Sequence, residues 1–285
     1  MKQVKRYLKG LLDKKNASIF LLCSFVIALS LRLIIATTLP QDFLSESMAK
    51  VDRIQYHTLA VNLLNSGIYG FVPGEPDSSL PPGYPVFLTL TYLFLGTNLL
   101  SIRLVQGFVS ALTVILFFYL ACRTYPNRYQ VVIVSTLLVT IYPVFIIYSN
   151  FQLTETLYVF MTLLLLLVAQ RSLESLNVSW GLLTGFLLGV TLLVREVLVL
   201  FVIVLACIAL ARRYPWRRCL LYLLAFSIGM SLPLGLWTAR SIIHTRRPIF
   251  ITDRASAAAS SVAGVELPPD YQNLNDEIRE RSAFD

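Results

Sequence analysis

The fold class the sequence predicts is an all-α membrane protein of about seven transmembrane helices, with a large extracytoplasmic first loop containing interfacial helices. Three observations carry that prediction. Hydrophobic residues fill 56% of the 285 positions and charged residues only 14%, against about 25% charge in an ordinary soluble domain. Apolar runs recur along the chain, several of them near the ~20 residues that cross a hydrocarbon core. The basic residues gather between those runs, as the cytoplasmic turns of a polytopic protein require. That clustering accounts for the net charge of +8 as topology, and no nucleic-acid partner is expected.

Taken in order, residues 1–16 hold six Lys or Arg and read as a cytoplasmic basic N-terminus. The first span covers residues 17–39. It exceeds twenty residues and lacks a small-residue cleavage site, so it is retained and not a signal peptide. Arg32 lies within it, roughly 10 Å below the outer end at 1.5 Å per residue. Two readings of that arginine stand side by side: a side chain snorkelling to the interface, or one pairing with an acid of an outer site.

Residues 40–98 form the outer loop. Within it, residues 59–64 suggest a short amphipathic helix. Residues 86–95 are apolar but too short to cross, which places them in the membrane interface. The second span is 98–122, the third 131–147 and the fourth 156–169. Residues 180–211 are interrupted by Arg195-Glu196. One continuous helix there would run about 48 Å, against a core of about 30 Å. It would also leave the basic run 212–218 outside, so two short spans turning at Arg195-Glu196 are expected. The seventh span, 218–238, delivers an extracytoplasmic polar tail, 239–285. The membrane module is thus 17–238.

All 16 acids except Asp13 and Glu174 then fall on the outer side. Longer, more polar loops account for part of that asymmetry; a site that needs carboxylates would account for the rest. Cys23, Cys122, Cys207 and Cys219 show no CxxC spacing, which argues against a zinc site or a disulfide framework.

Four features converge on the predicted outer boundary: Asp52 in the first loop, Glu155 opening the fourth span, Arg195-Glu196 at the turn, and Arg240 after the seventh span with His244, Arg246 and Arg247. Each also has a plain structural reading. Glu155 suits a helix N-terminus, Arg195-Glu196 a local ion pair, and the late basic cluster a contact with lipid headgroups. Together they suit sugar transfer from a lipid-linked phosphate. The leaving group is already anionic there, so the reaction asks for a base on the acceptor hydroxyl, cations for the phosphate and an apolar groove for the lipid. Asp52 suits the base, Arg195 or Arg240 the phosphate clamp, and Glu155 a second carboxylate that orients the acceptor or helps hold a metal.

The chain resembles the GT-C superfamily of polytopic glycosyltransferases, in particular the bacterial relatives of protein O-mannosyltransferases and of the lipid A aminoarabinose transferase. The motifs that carry the resemblance are Asp52-x3-Tyr56-x3-Ala60-x2-Leu63-Leu64-x2-Gly67, Pro81-Pro82-Gly83-Tyr84-Pro85-x-Phe87-Leu88, Tyr142-Pro143, Thr154-Glu155, Gly185-x3-Gly189-x5-Arg195 and Leu236-Trp237-Thr238-x-Arg240. The resemblance implies an inverting transferase in the plasma (inner) membrane, N-terminus cytoplasmic, that takes a sugar from a polyprenyl-phosphate donor to a lipid, glycan or protein acceptor. The acid at the position of Asp52 is that family's catalytic residue, and Arg195 and Arg240 match its pattern. With the reading of the residues above, the candidate catalytic pair is Asp52 and Glu155, and the candidate substrate-binding residues are Tyr56, His57, Tyr84, Arg195 and Arg240. No cofactor follows with certainty, and a divalent cation, Mg or Mn, is left open.

The chain departs from the family pattern at Glu196, where Pro is usual, and at Leu236 and Ser241. Relatives also continue with further spans, so a fragment, a truncated product or one half of a split enzyme is expected, with a second membrane chain as partner. Two alternatives from other classes are a lipid or solute transporter and a non-catalytic membrane partner.

Overall fold

The computed structural model describes residues 14–40, 49–211 and 214–252. The basic stretch before residue 14 and most of the expected polar tail lie outside them. Among the described residues ten α-helices and one 3-10 turn follow in order: α1 (Lys14–Thr38), α2 (Ala49–Ser66), α3 (Gly83–Leu95), α4 (Leu99–Thr124), α5 (Tyr129–Ile141), α6 (Pro143–Tyr148), α7 (Glu155–Ser175), α8 (Val178–Val194), the 3-10 turn Glu196–Leu200, α9 (Phe201–Ala211) and α10 (Trp216–Thr245). Among the described residues the fold is all helix. Four helices, α1, α4, α7 and α10, are long and apolar enough to cross a membrane. The others that are apolar, α3, α5, α8 and the stretch Glu196–Ala209, are shorter.

Local chemistry sets several boundaries. Asn98 opens α4 by accepting from the Ser101 amide at 2.8 Å, and Asn177 opens α8 by accepting from the Ser179 amide at 3.1 Å. Gly96, at φ 83°, separates α3 from α4 in a conformation that suits a residue without Cβ. The third predicted span is broken. α5 stops at Ile141 and Pro143 starts α6, because proline offers no amide hydrogen and its ring excludes a continuing helix. The first loop carries a longer helix than expected, since α2 spans 18 residues and places Asp52 in its first turn. As the sequence suggests, the chain breaks at Arg195, between α8 and the 3-10 turn.

Among the described residues α8 and α10 share the most extensive helix contact, and small residues allow it. Gly181, Gly185 and Gly189 recur every fourth residue along α8. A Cβ on Gly185 would overlap the Phe226 carbonyl, and one on Gly189 would lie 2.5 Å from Pro233 Cγ. Close backbone approach of this kind is how helices associate in lipid, where apolar burial alone gives little drive.

Two large apolar clusters fill the bundle. One joins Tyr56, Leu59, Tyr69, Tyr84, Leu88, Leu157, Leu193, Val194 and Trp237. It gathers α2, α3, the start of α7, the end of α8 and the late part of α10. The other runs from Leu165 of α7 and Leu188 and Leu192 of α8 to Leu173, Leu176, Leu205, Ala209, Cys219 and Tyr222, so at the opposite end the end of α7, the end of α9 and the start of α10 meet. There Glu174 receives Arg123 at 2.6 Å and Arg171 at 3.0 Å. Since Gly181 faces Tyr222, α8 leaves that end and α9 returns to it. Large apolar side chains point outward around the bundle, with Phe94 79%, Leu236 74% and Ile243 73% exposed. Such a surface suits lipid.

Candidate functional site

At the end where α2 and α3 gather, the first turn of α7 faces the break after α8. Glu155 Oε1 accepts from Arg195 Nη1 at 2.9 Å. The guanidinium carbon of Arg195 also lies 5.9 Å from the centre of the Tyr158 ring, a cation–π distance. Arg195 therefore pairs across the bundle with Glu155, a longer-range partner than the neighbouring Glu196. Glu155 Oε2 is buried and has no hydrogen-bond partner among the described residues. An unsatisfied carboxylate oxygen shielded from water is costly, of order 1–3 kcal/mol or more, and such atoms concentrate where a ligand completes the site.

This ion pair sits on a cavity of about 360 Å³, lined by Ser110 and Thr113 of α4, Val144, Phe145 and Tyr148 of α6, Glu155, Thr156 and Val159 of α7, and Arg195. Its walls are mostly apolar with a charged pair at one side, the pattern of a ligand site with few polar anchors. The proline break positions one wall, because the six residues of α6 leave the line of α5 and turn Val144, Phe145 and Tyr148 towards α4 and α7. From Leu99 to Ser110 is about 17 Å of helix rise, so the hydroxyls lie near the midpoint of α4.

Of the other residues singled out in the sequence, Asp52, Tyr56, His57, Tyr84 and Arg240 are not among those lining the cavity. Tyr56 and Tyr84 are buried and meet edge to face, with ring centres 5.1 Å apart. The Tyr84 hydroxyl donates to Gln106 Oε1 at 3.0 Å, so its polar end is spent on α4. His57 Nδ1 lies 2.7 Å from the Tyr92 hydroxyl, which accepts from Gln152 Nε2 at 2.6 Å. Burial, with a smaller contribution from Arg53, lowers the His57 pKa from its ordinary 6.5. Asp52 is exposed, one helical turn before Tyr56 and on the same face of α2.

Arg240 is engaged with the protein. It donates to the backbone oxygens of Tyr69 and Asp77 and to Ser78 Oγ, and its guanidinium lies 5.3 Å and 5.1 Å from the ring centres of Tyr69 and Trp237. It holds the segment between α2 and α3 against α10. Arg32 follows neither expected reading. It is 1% exposed, and it donates to Ser110 Oγ and to the Ala28 and Thr140 carbonyls. It reaches neither the interface nor, among the described residues, an acid.

Sequence reasoning missed the polar face of α4. Arg103, Gln106, Ser110 and Thr113 are 5%, 0%, 4% and 4% exposed. They recur at three- and four-residue intervals on one side of an otherwise apolar span, a legible signal for a face turned into the bundle. Arg103 caps the end of α1 by donating to the Ala36, Leu39 and Pro40 carbonyls. Gln106 holds the Phe151 and Ser149 carbonyls just ahead of Glu155.

Whether these residues could hold a metal follows from their chemistry. No group of three His, Cys, Asp or Glu stands together among the described residues. At Glu155 one carboxylate oxygen is already held by a guanidinium. Mg is bound with one or two carboxylates plus phosphates and water, and a carboxylate shared with arginine is a poor member of such a set.

No curated protein and no solved structure matched the chain. A family model did, that of dolichyl-phosphate-mannose-protein mannosyltransferase, over residues 79–237. The match takes in α3 to most of α10, and with them Glu155, Arg195 and every residue lining the cavity. This span is more than half the chain, and with the helical bundle and its apolar exterior it identifies a multi-pass membrane glycosyltransferase of GT-C type: the chain belongs to the dolichyl-phosphate-mannose-protein mannosyltransferase family.

Proposed function

We propose that this chain transfers a sugar from a polyprenyl-phosphate donor to an acceptor hydroxyl, with inversion, at the extracytoplasmic face of the plasma membrane. The observation that carries the reading is the Glu155–Arg195 pair, with an orphaned carboxylate oxygen beside a largely apolar cavity. Dolichyl-phosphate mannose, in the family's own name, is one donor of that class. In this reading α1, α4, the broken pair α5–α6, α7, α8, the 3-10 turn with α9, and α10 make seven crossings, with the N-terminus cytoplasmic and residues 40–98 and 239–285 outside.

The chemistry is a single displacement. The acceptor oxygen bonds to the anomeric carbon while the bond from that carbon to the phosphate oxygen breaks, and the phosphate leaves with the electron pair. The acceptor proton passes to the Asp52 carboxylate as general base. Glu155 Oε2 orients the acceptor by taking a hydrogen bond, and Arg195 stabilises charge on the departing phosphate. Tyr56 and His57 line the approach from α2, while Tyr84 and Arg240 hold the scaffold around it. No step needs a metal. Lipid, glycan and protein hydroxyls all fit this scheme as acceptors.

The test uses the purified chain in lipid nanodiscs with a panel of polyprenyl-phosphate hexoses and pentoses and membrane extract as acceptor. Asp52→Asn and Glu155→Gln each reduce transfer by about a hundredfold or more, the first as a lost general base and the second as a lost orienting group. Undiminished transfer by both variants, at wild-type protein levels, would remove the basis of the reading.

A further inference from the structure

Arg32 is a fully buried guanidinium within a helix long enough to span the membrane, with hydrogen bonds to three different elements. Nε donates to Ser110 Oγ of α4 at 2.7 Å, and Nη1 donates to the Ala28 carbonyl of its own helix at 2.9 Å and to the Thr140 carbonyl of α5 at 3.3 Å. Thr140 lies in the last turn of α5, just before the Pro143 break. The carbonyls of a helix's last turn lack their intrahelical donors and carry the negative end of its dipole. A cation capping them is stabilised without any carboxylate. Ser110 Oγ continues the chain by donating to the Phe145 carbonyl of α6 at 3.3 Å. Both Ser110 and Phe145 line the cavity.

We infer that Arg32 is a positioning residue for the substrate cavity: it clamps the end of α5 and, through Ser110, fixes the distance between α4 and the α6 wall. The inference rests on the cavity being the substrate site. The guanidinium does not reach the reacting atoms; it sets the width of the space they enter. Two features favour this over simple helix packing. The cost of burying an arginine in a membrane is several kcal/mol, which an apolar side chain in α1 would avoid. Its bonds also fall on both sides of one cavity, at the hydroxyl of one wall and ahead of the break that makes the other.

The experiment uses the full chain in nanodiscs with its cysteines replaced and Thr113→Cys placed in the cavity lining. The rate of labelling by a small methanethiosulfonate reports access to the cavity, independent of transfer. Arg32→Met and Arg32→Lys are compared with Ser110→Ala, which breaks the bridge while keeping the guanidinium. In all three the labelling rate shifts by about tenfold, a change of about 1.4 kcal/mol in access. Where transfer is measurable, KM for the lipid-linked donor rises by a similar factor in Ser110→Ala while kcat stays within about twofold, as loss of uniform binding predicts. Unchanged labelling in Ser110→Ala and Arg32→Lys, with both folded, overturns the inference. Changed labelling with unchanged KM overturns it too, since the cavity would then not be where the donor binds. Labelling that shifts as expected while Glu155→Gln leaves transfer intact would instead count against the reading of the catalytic site.

Discussion

Gly83 rests on the backbone of Leu193. A Cβ at Gly83 would lie 2.7 Å from the Leu193 carbonyl oxygen and 2.8 Å from Val194 Cγ2. The N-terminus of α3 is thereby pressed against the last turn of α8, two residues before Arg195. Any side chain at position 83 pushes that turn away and carries the Glu155 partner with it. Gly83→Ala lowers kcat/KM by about tenfold, because small displacements of a positioned group are expensive. Comparing kcat/KM with the labelling of a cysteine near Arg195 checks whether displacement is the cause.

The ion pair itself predicts non-additive thermal shifts. Arg195→Met leaves the Glu155 carboxylate, whose Oε2 is already buried without a partner, with no guanidinium either, whereas Glu155→Gln leaves an arginine whose long side chain can turn to water. The first variant is the less stable, and the double variant loses less than the sum of the two. The coupling is of order 1 kcal/mol for a partly exposed pair. Melting of the four proteins in one detergent completes the cycle.

Arg240 predicts a change in loop protection. Its bonds to Tyr69, Asp77 and Ser78 anchor the segment between α2 and α3. Arg240→Lys does not restore them, because a single ammonium cannot reach those oxygens in the geometry of a planar fork. Limited proteolysis then cuts between residues 67 and 82 at least several-fold faster in both Arg240→Lys and Arg240→Met, the loop having lost hydrogen bonds of about 1 kcal/mol each.

His57 predicts a pH dependence with a definite sign. Its folded pKa lies below the ordinary 6.5, so the unfolded chain takes up the proton first. Its contribution is unaffected above about pH 6.5 and is lost progressively as pH falls below that value towards the lower folded pKa. The melting temperature of the wild type therefore drops between pH 7 and 5 more than that of His57→Gln. Equal slopes for the two would show that His57 protonates as freely in the fold as outside it.

The α8–α10 contact predicts a steric limit. Gly185→Leu forces the helices apart where a Cβ already overlaps the Phe226 carbonyl. The melting temperature falls, and the chain aggregates on extraction at a detergent concentration the wild type tolerates. Gly235, with nothing within 4 Å of an added Cβ, takes alanine without that penalty.

Much of this architecture was legible before the structure. Runs of apolar residues located α1, α4, α7 and α10, the four helices long enough to cross, since length and hydropathy are what a bilayer selects. The charged pair at 195 located the break after α8. The break at Pro143 was written in the sequence as Tyr142-Pro143 but passed as part of one span, because its apolar composition continues on both sides. α2 extends beyond the residues 59–64 that the sequence marks, since its face towards the core rests on Tyr56, Leu59 and Ala60 while polar residues surround them. Within the candidate site, Glu155 and Arg195 were visible as charges at span ends. Their pairing was not, because it joins residues 40 apart whose approach depends on how three helices pack. Arg240 illustrates the opposite difficulty: a guanidinium beside aromatics has the same sequence signature whether it awaits a phosphate or holds a loop.

The six residues of α6 give the molecule an exchangeable part. None of them is buried, yet three face the cavity, so natural variation at Val144, Phe145 and Tyr148 can recontour the pocket while the polar face of α4 and the glycine seam of α8 keep the bundle intact. Selectivity and foldability are thereby written in separate stretches of chain, and a library confined to those three positions is the shortest route to an altered substrate range.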